Sequence, residues 1–215
     1  MSALCPICNK RKAGRFCPAK GETICAQCCG TEREVTIDCT PDCGYLLAAH
    51  RYEAERKAPV SASDVPFPDV EIPSSLIHEY RGAISGLAFA ILKSAASQTG
   101  IVDKDVLVAL QALAEKYRTL DSGIYYERPP DDLYSRAVYD SLDKYVEDIR
   151  KQLGEQGVSG KVKDRDVFHF LVFLLRVGLS QTNGRPKTRM YLEFLRSQFP
   201  KSAAAPEEPS RIIVP

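Results

Sequence analysis

The residues of this chain best suited to chemistry are its eight cysteines, which all lie within the first 43 of 215 positions. They are the close pairs Cys5 and Cys8, Cys25 and Cys28, and Cys39 and Cys43, together with Cys17 and Cys29. Two cysteines in a tight turn present thiolates at adjacent corners of a tetrahedron, which is the coordination that zinc prefers. Eight sulfurs match two four-cysteine sites, so the spacing predicts two zinc ions.

Metal binding is favoured over disulfides by the expected compartment. A segment this short cannot bury enough apolar surface to fold unaided, so cross-links must stabilise it. The chain begins Met1-Ser2-Ala3-Leu4-Cys5 without a signal-peptide pattern, and its most apolar run, 167–175, is far shorter than the roughly 20 residues of a membrane span. We therefore expect a cytoplasmic protein with no membrane contact, where clustered cysteines favour metal.

The order of the cysteine pairs resembles that of the cross-braced double zinc fingers of the HIT and MYND types. The sequence Arg15-Phe16-Cys17-Pro18 is similar to the start of their second pair, and Ile24-Cys25-Ala26-Gln27-Cys28 is similar to their third. The last pair, with three intervening residues, is similar to their closing pair. The resemblance covers residues 5–43 and implies a zinc module of treble-clef-like or cross-brace-like type.

The resemblance also implies how the cysteines divide between the two ions. The first site would comprise Cys5, Cys8, Cys25 and Cys28, and the second would comprise Cys17, Cys29, Cys39 and Cys43. The chain departs from the family pattern at Lys20, where a cysteine is expected. A protonated lysine is a poor zinc ligand, so Cys29 takes that place in this assignment. An exchange of roles between Cys28 and Cys29 stays open.

The second half of the cysteine segment carries a further resemblance. The string Cys28-Cys29-Gly30-Thr31-x-Arg33-Glu34-Val35-x-Ile37-x-Cys39, followed by Cys43-x-Tyr45-Leu46, is similar to a signature of uncharacterised bacterial zinc-finger proteins. This resemblance implies no activity. The alternation of Val35 and Ile37 with polar residues predicts a short strand, and residues 46–56 predict a helix leading out of the finger.

The expected function is binding rather than catalysis. A four-cysteine zinc site has no open coordination position, so it cannot activate water. The histidines are scattered: we expect His50 to lie on a helix surface, with metal ligation as the alternative, and His169 to lie in the core. The sequence therefore predicts a zinc-binding, non-catalytic interaction protein. The alternative is a thiol-based redox or metal sensor that releases zinc on oxidation.

Two basic clusters are candidate contacts for anions or nucleic acid. They comprise Lys10, Arg11, Lys12 and Arg15 in the finger, and Arg185, Lys187 and Arg189 near the end of the chain. The net charge is +1, and becomes about −3 with eight thiolates on two zinc ions, so the chain is not a general polyanion binder. A protein partner is therefore favoured, with RNA or DNA contacted only through these local patches. The alternative is that both clusters are simply solvated.

The rest of the chain predicts an all-α antiparallel helical bundle behind the finger. We divide the chain into a finger with its exit helix at 1–56, a linker rich in proline and serine at 57–75, the bundle at 76–199 and a flexible tail at 200–215. Hydrophobic periodicity and breakers predict about five helices in the bundle. They span 76–97, 103–120, 132–153, 164–180 and 186–199, and the fourth is apolar nearly all round, which predicts the central buried helix.

Overall fold

A computed structural model describes residues 3–58, 60–155 and 162–200, and this part of the chain is mostly helical. It contains a two-stranded hairpin, eight α-helices and one short 3-10 helix. The strands are β1 (Arg15–Cys17) and β2 (Glu22–Ile24), the helices are α1 (Ala26–Glu32), α2 (Gly44–Arg56), α3 (Ser74–Glu79), α4 (Arg81–Ser97), α5 (Asp103–Asp121), α6 (Leu133–Glu155), α7 (Asp164–Gln181) and α8 (Met190–Ser197), and the 3-10 helix is Ala62–Asp64. None of the described helices combines the length and apolarity needed to cross a membrane.

The finger is built from a tight turn, a hairpin and a short helix, in that order. The hairpin pairs β1 with β2 in antiparallel register, with Arg15 opposite Ile24 and Cys17 opposite Glu22. Gly21 allows its turn because the backbone there has a φ of 66°, which favours glycine. Helix α1 then begins directly after Cys25. This order brings cysteines that are 17 to 23 residues apart into one cluster.

The strand predicted around Val35 and Ile37 is wrong, because these residues form the turn that ends α1. The N–H groups of Val35, Thr36 and Ile37 all donate to the Glu32 carbonyl, at 3.2, 3.2 and 3.0 Å. Glu34 has a φ of 54°, which reverses the chain within this turn. In a strand, Val35 and Ile37 would share one face, but here Ile37 is buried in the finger and Val35 is exposed.

The predicted central helix is confirmed in α7, which supplies more residues to the core of the helical region than any other described helix. Phe170, Leu171 and Val172 are almost fully buried along it, and it packs chiefly against α5. The small residues of α4 allow close packing against α6, since a Cβ at Gly86 would collide with the Tyr145 ring. Asp132 caps α6, accepting a hydrogen bond from the Ser135 N–H at 2.8 Å.

Two predicted helix boundaries are wrong. The first bundle helix divides at Tyr80 into α3 and α4, because the backbone of Tyr80 leaves the helical region (φ −99°, ψ 23°). The last helix begins at Met190 rather than Pro186. Residues 185–189 instead form a turn whose polar groups are used by the finger, as described below.

The segment predicted as a proline-rich linker packs on the bundle over part of its length. Arg176 of α7 donates to the carbonyls of Pro66, Phe67 and Val70, at 3.2, 2.6 and 2.9 Å. The Phe67 ring meets the Phe168 ring edge to face at 5.2 Å. These contacts fix the segment to the helix that forms the core, so this part does not act as a free spacer. The tail predicted from residue 200 lies, except for its first residue, outside the described residues.

Candidate metal centre and the docking of the finger

Four cysteine sulfurs converge in the finger at the spacing of a metal site. The Sγ atoms of Cys5, Cys8, Cys25 and Cys28 all lie within 4.8 Å of one another. The Sγ atoms of Cys8 and Cys25 are 4.0 Å apart. Four sulfurs around zinc at about 2.3 Å are about 3.8 Å apart, so the cluster needs only a slight contraction to hold the ion. These four residues are the first site that the resemblance implied.

The backbone holds each pair in place. In the first pair, the Asn9 N–H donates to the Cys5 carbonyl and the Cys5 N–H donates to the Arg11 carbonyl, both at 2.8 Å. Asn9 has a φ of 51°, a conformation that asparagine tolerates better than most residues. In the second pair, Cys25 is the N-cap of α1, and its Sγ accepts the Cys28 N–H at 3.3 Å. A turn of the chain and the start of a helix thus each present two sulfurs.

The electrostatics of the cluster favour a cation at its centre. Cys5 is fully buried, and Cys25 and Cys28 are 3% and 6% exposed. The N–H groups of Lys10 and Arg11 lower the pKa of Cys8 to about 6. Burial, together with the neighbouring sulfurs of Cys25, Cys8 and Cys5, raises the pKa of Cys28 to about 12. Four thiolates packed this closely repel one another, and a bound divalent ion removes that repulsion. The donor set therefore fits zinc.

The remaining four cysteines do not form a comparable cluster. No second group of three or more such ligands converges within residues 3–58, 60–155 and 162–200. Cys17 is buried in the small finger core, and Cys29 and Cys39 pack against that core. Burial raises the pKa of Cys39, and the charges of Cys43 and Cys17 contribute in the same direction. These thiols are near enough to influence one another, and the second ion stays a prediction.

His50 is buried rather than on the helix surface, so that expectation is wrong. It is 7% exposed, and its Nε2 lies 2.9 Å from Glu34 Oε1, while its Nδ1 lies 3.6 Å from Glu193 Oε2. Burial lowers the pKa of His50, but the carboxylates of Glu193 and Glu34 outweigh it and raise the pKa to about 9. His50 is therefore held as a cation between two carboxylates. His169 is buried on α7 as expected, and burial lowers its pKa.

Glu34 links the finger to the helical region. It is 2% exposed, and its carboxylate accepts hydrogen bonds from His50 and from the Asn183 side chain, the latter at 3.0 Å. Although burial raises the pKa of Glu34, these hydrogen bonds lower it below its usual value. The Glu34 carbonyl also accepts the Lys187 N–H at 2.8 Å. A buried carboxylate with these partners fixes the end of α1 on the turn between α7 and α8.

The second basic cluster, Arg185, Lys187 and Arg189, supplies the other half of the contact between the finger and the helical region. The Arg185 guanidinium donates to the carbonyls of Gly30 and Arg33 at 3.2 and 2.8 Å, where α1 ends. A cation at the C-terminus of a helix also interacts favourably with the helix dipole. The remaining two cations contact the loop that follows. Lys187 Nζ donates to the Thr36 carbonyl at 2.8 Å, and Arg189 pairs with Asp38 at 2.6 Å.

The sequence predicts these three cations as candidate anion contacts. In the structure, all three instead bind carbonyls or a carboxylate of the finger. Sequence reasoning found the cluster but not its partners, and it missed Glu34 and Asn183 altogether. One signal was present in the sequence. Basic residues at an expected helix start oppose the helix dipole, which suggests a role other than helix formation.

The first basic cluster has a different environment. Lys10, Arg11 and Lys12 are exposed, and the Arg15 guanidinium lies over the Tyr45 ring at 4.7 Å from its centroid. Among the described residues, none of these four cations forms an ion pair with a carboxylate. Their availability to an external anion stays a prediction.

The chain was compared with models of protein families, with curated proteins and with solved structures. None of the three comparisons finds a match.

Proposed function

We propose that this chain is a zinc-binding, non-catalytic interaction protein. The convergence of four cysteine sulfurs within 4.8 Å carries the proposal, because this donor set and spacing suit a tetrahedral zinc ion. The ion replaces the apolar interior that so short a finger lacks. The order of turn, hairpin and helix around it supports a treble-clef type of finger. Relationship to the HIT and MYND types, and a second ion, belong to the same proposal.

A structural role for the ion follows from its ligands. Four thiolates fill the coordination sphere of zinc, so no position is left for water or substrate. Three of the four cysteines are buried, which further protects the metal from solvent. The ion therefore holds the two halves of the finger together rather than acting as a Lewis acid.

An interaction role is supported by the way the finger is mounted. Its later half, from the end of α1 to Asp38, contacts the helical region through hydrogen bonds and ion pairs. The opposite part, with the first turn and the hairpin, faces solvent and exposes apolar side chains, with Leu4 60% and Phe16 59% exposed. Exposed apolar groups on a rigidly held module are typical of a surface that binds a protein or RNA partner.

Metal analysis of the full chain tests this proposal. Native mass spectrometry should find at least one zinc ion per chain, and the visible spectrum should be colourless. Mild peroxide should leave the metal bound. Zinc release accompanied by disulfide formation would favour the thiol-based sensor instead, and brown absorbance would indicate iron. A pure, folded chain without stoichiometric metal would contradict the proposal.

A further inference from the structure

The finger segregates its charges between two sides. Residues 9–20 contain five lysines and arginines and no aspartate or glutamate. The acidic residues of the finger, apart from Glu22, follow Cys28, and two of them, Glu34 and Asp38, contact the turn between α7 and α8. The acidic side is thus satisfied by the cations of the helical region. The basic side has no such partner among the described residues.

Helix α2 carries two stacked arginine and tyrosine pairs. Arg15 of the basic side lies over the Tyr45 ring at 4.7 Å, and Arg56, which also lies 3.7 Å from Glu55, lies over the Tyr52 ring at 3.9 Å. Tyr45 and Tyr52 are seven residues apart on α2, so they share one stripe of the helix about 10 Å apart. The two tyrosines are 41% and 58% exposed.

The first turn is linked to this stripe through Arg15, which follows the turn in the chain and contacts Tyr45. Lys10, Arg11 and Lys12 are exposed in the turn, three residues or a little more before Arg15. Lys12 pairs with Leu4 in an isolated antiparallel bridge, which closes the turn. We refer to Lys10, Arg11, Lys12, Arg15, Tyr45 and Tyr52 together as the basic–aromatic face.

We propose that the basic–aromatic face binds single-stranded nucleic acid, an inference that rests on the proposed function because the zinc site holds the finger in shape. The lysines and arginines of the turn contact phosphates, and bases stack on the two tyrosine rings beside their guanidinium groups. An acidic protein would pair with the lysines and arginines, but it has no bases to stack on the exposed tyrosine rings. A duplex keeps its bases stacked inside and offers none to the tyrosines.

Fluorescence anisotropy with the zinc-loaded full chain tests this inference. The probes are labelled oligo-U RNA and oligo-dT DNA of equal length, a duplex of that length and a polyglutamate peptide. Both single strands should bind more tightly than the duplex and the peptide, and the two single strands distinguish RNA from DNA. Binding should weaken linearly with the logarithm of salt concentration, since phosphate contacts release counterions.

Two variants separate the two kinds of contact. The triple variant K10A/R11A/K12A should lower the salt slope by about 2 and the affinity at least tenfold, since each phosphate contact on a single strand contributes about 0.7 to the slope. The variant Tyr52→Ala should weaken binding about tenfold and leave the slope unchanged, because stacking does not depend on counterions. The triple variant K93A/K104A/K144A removes three exposed charges from the bundle and should change neither quantity.

The outcomes separate this inference from the proposed function, because zinc content is measured on every sample. A zinc-loaded chain that binds no single strand overturns the inference alone. The inference is also overturned if both triple variants weaken binding of single strands equally. It is overturned as well if polyglutamate binds as tightly as the oligonucleotides and Tyr52→Ala does not change the affinity. A folded chain without zinc overturns the proposed function.

Discussion

The finger and the helical bundle are held together by different forces. Of the six buried residues at the centre of the finger, four are cysteines, and only Ile24 and Ile37 are aliphatic. The buried core of the bundle contains no cysteine and is built from leucine, valine, isoleucine, alanine and aromatic side chains. We infer that metal–sulfur bonds replace the hydrophobic effect in the finger, whereas apolar burial stabilises the bundle.

The contact between the finger and the bundle depends neither on metal–sulfur bonds nor on apolar burial. It is made of charged and amide groups, with Glu34 and His50 at its buried centre and Arg185 at its edge. Such groups gain stability only when every partner is present. Each of the three parts should therefore respond to a different perturbation, from the metal site with the largest effect to the contact with the smallest.

Loss of one sulfur should have the largest effect and should be confined to the finger. Cys25→Ser removes a ligand that also caps α1, so we expect loss of the zinc ion and of the finger fold while the bundle stays folded. Zinc binding to such sites contributes about 10–16 kcal/mol to folding. Native mass spectrometry measures the metal, and circular dichroism measures the retained helices.

The matched control for Cys25→Ser is Thr23→Ala, at an exposed residue of β2 two positions before Cys25. It should keep its zinc. Retention of the full metal content by Cys25→Ser would show that the cluster does not bind the ion as described.

A cavity in the bundle should destabilise the bundle and leave the zinc-bound finger intact. Leu110 on α5 is fully buried, so Leu110→Ala should lower the free energy of unfolding by about 2–5 kcal/mol while zinc stays bound to the finger. Urea unfolding followed by circular dichroism measures the first quantity, and metal analysis the second. Simultaneous loss of zinc would mean that the finger depends on the bundle for its own fold, which would contradict the division drawn here.

Removal of the arginine at the contact should release the finger from the bundle without unfolding either. Arg185→Ala leaves the carbonyls of Gly30 and Arg33 without their donor, at a cost of about 1–3 kcal/mol. Hydrogen exchange should rise at residues 30–38 and 183–189 and stay unchanged in α5. Arg196→Ala, at an exposed arginine of α8, is the control. Equal protection of both segments in the two variants would refute the docking role of Arg185.

Raising the pH should weaken the same contact to a smaller extent. His50 has a pKa of about 9 in the folded chain, against about 6.5 when unfolded, because Glu193 and Glu34 outweigh the effect of burial. The stability that its charge contributes is therefore complete below pH 6.5 and is lost between pH 6.5 and 9. Zinc loss does not explain a decline in this window, since thiolate ligands bind metal better as pH rises.

Urea unfolding at pH 6.5, 8 and 9.5 measures this effect. The variant His50→Gln keeps a polar side chain without the charge, so its stability should change less over this window than that of the unmodified chain. If the free energy of unfolding changed equally with pH in the two proteins, His50 would not titrate as described.

Local sequence patterns predicted much of this molecule, and long-range contacts account for what they missed. The spacing of the cysteines and the family resemblance gave the four members of the cluster, and hydrophobic periodicity gave α5 and α7 almost to the residue. The strand at Val35 was wrong because alternation alone cannot distinguish a strand from a turn with one buried residue. The division of the first bundle helix at Tyr80 was missed because the nearest helix breaker, Gly82, lies within α4 and not at the division itself.

The docking surface could not be predicted from local pattern at all. Glu34 and Asn183 are separated by 149 residues, and nothing near either residue indicates the other. His50 looked like a surface histidine because its neighbours on α2 are mostly exposed, and its burial comes from carboxylates on two other elements. Arg185 was recognised as unusual, but its acceptors are backbone carbonyls, which every residue carries.

Hydrogen exchange of the full chain with and without a strong zinc chelator tests most directly whether metal holds the finger together. We expect residues 3–43 to lose protection when the chelator removes the ion, while α5 and α7 keep theirs, and readdition of zinc should restore the finger. Unchanged protection of residues 3–43 in the metal-free chain would contradict the account.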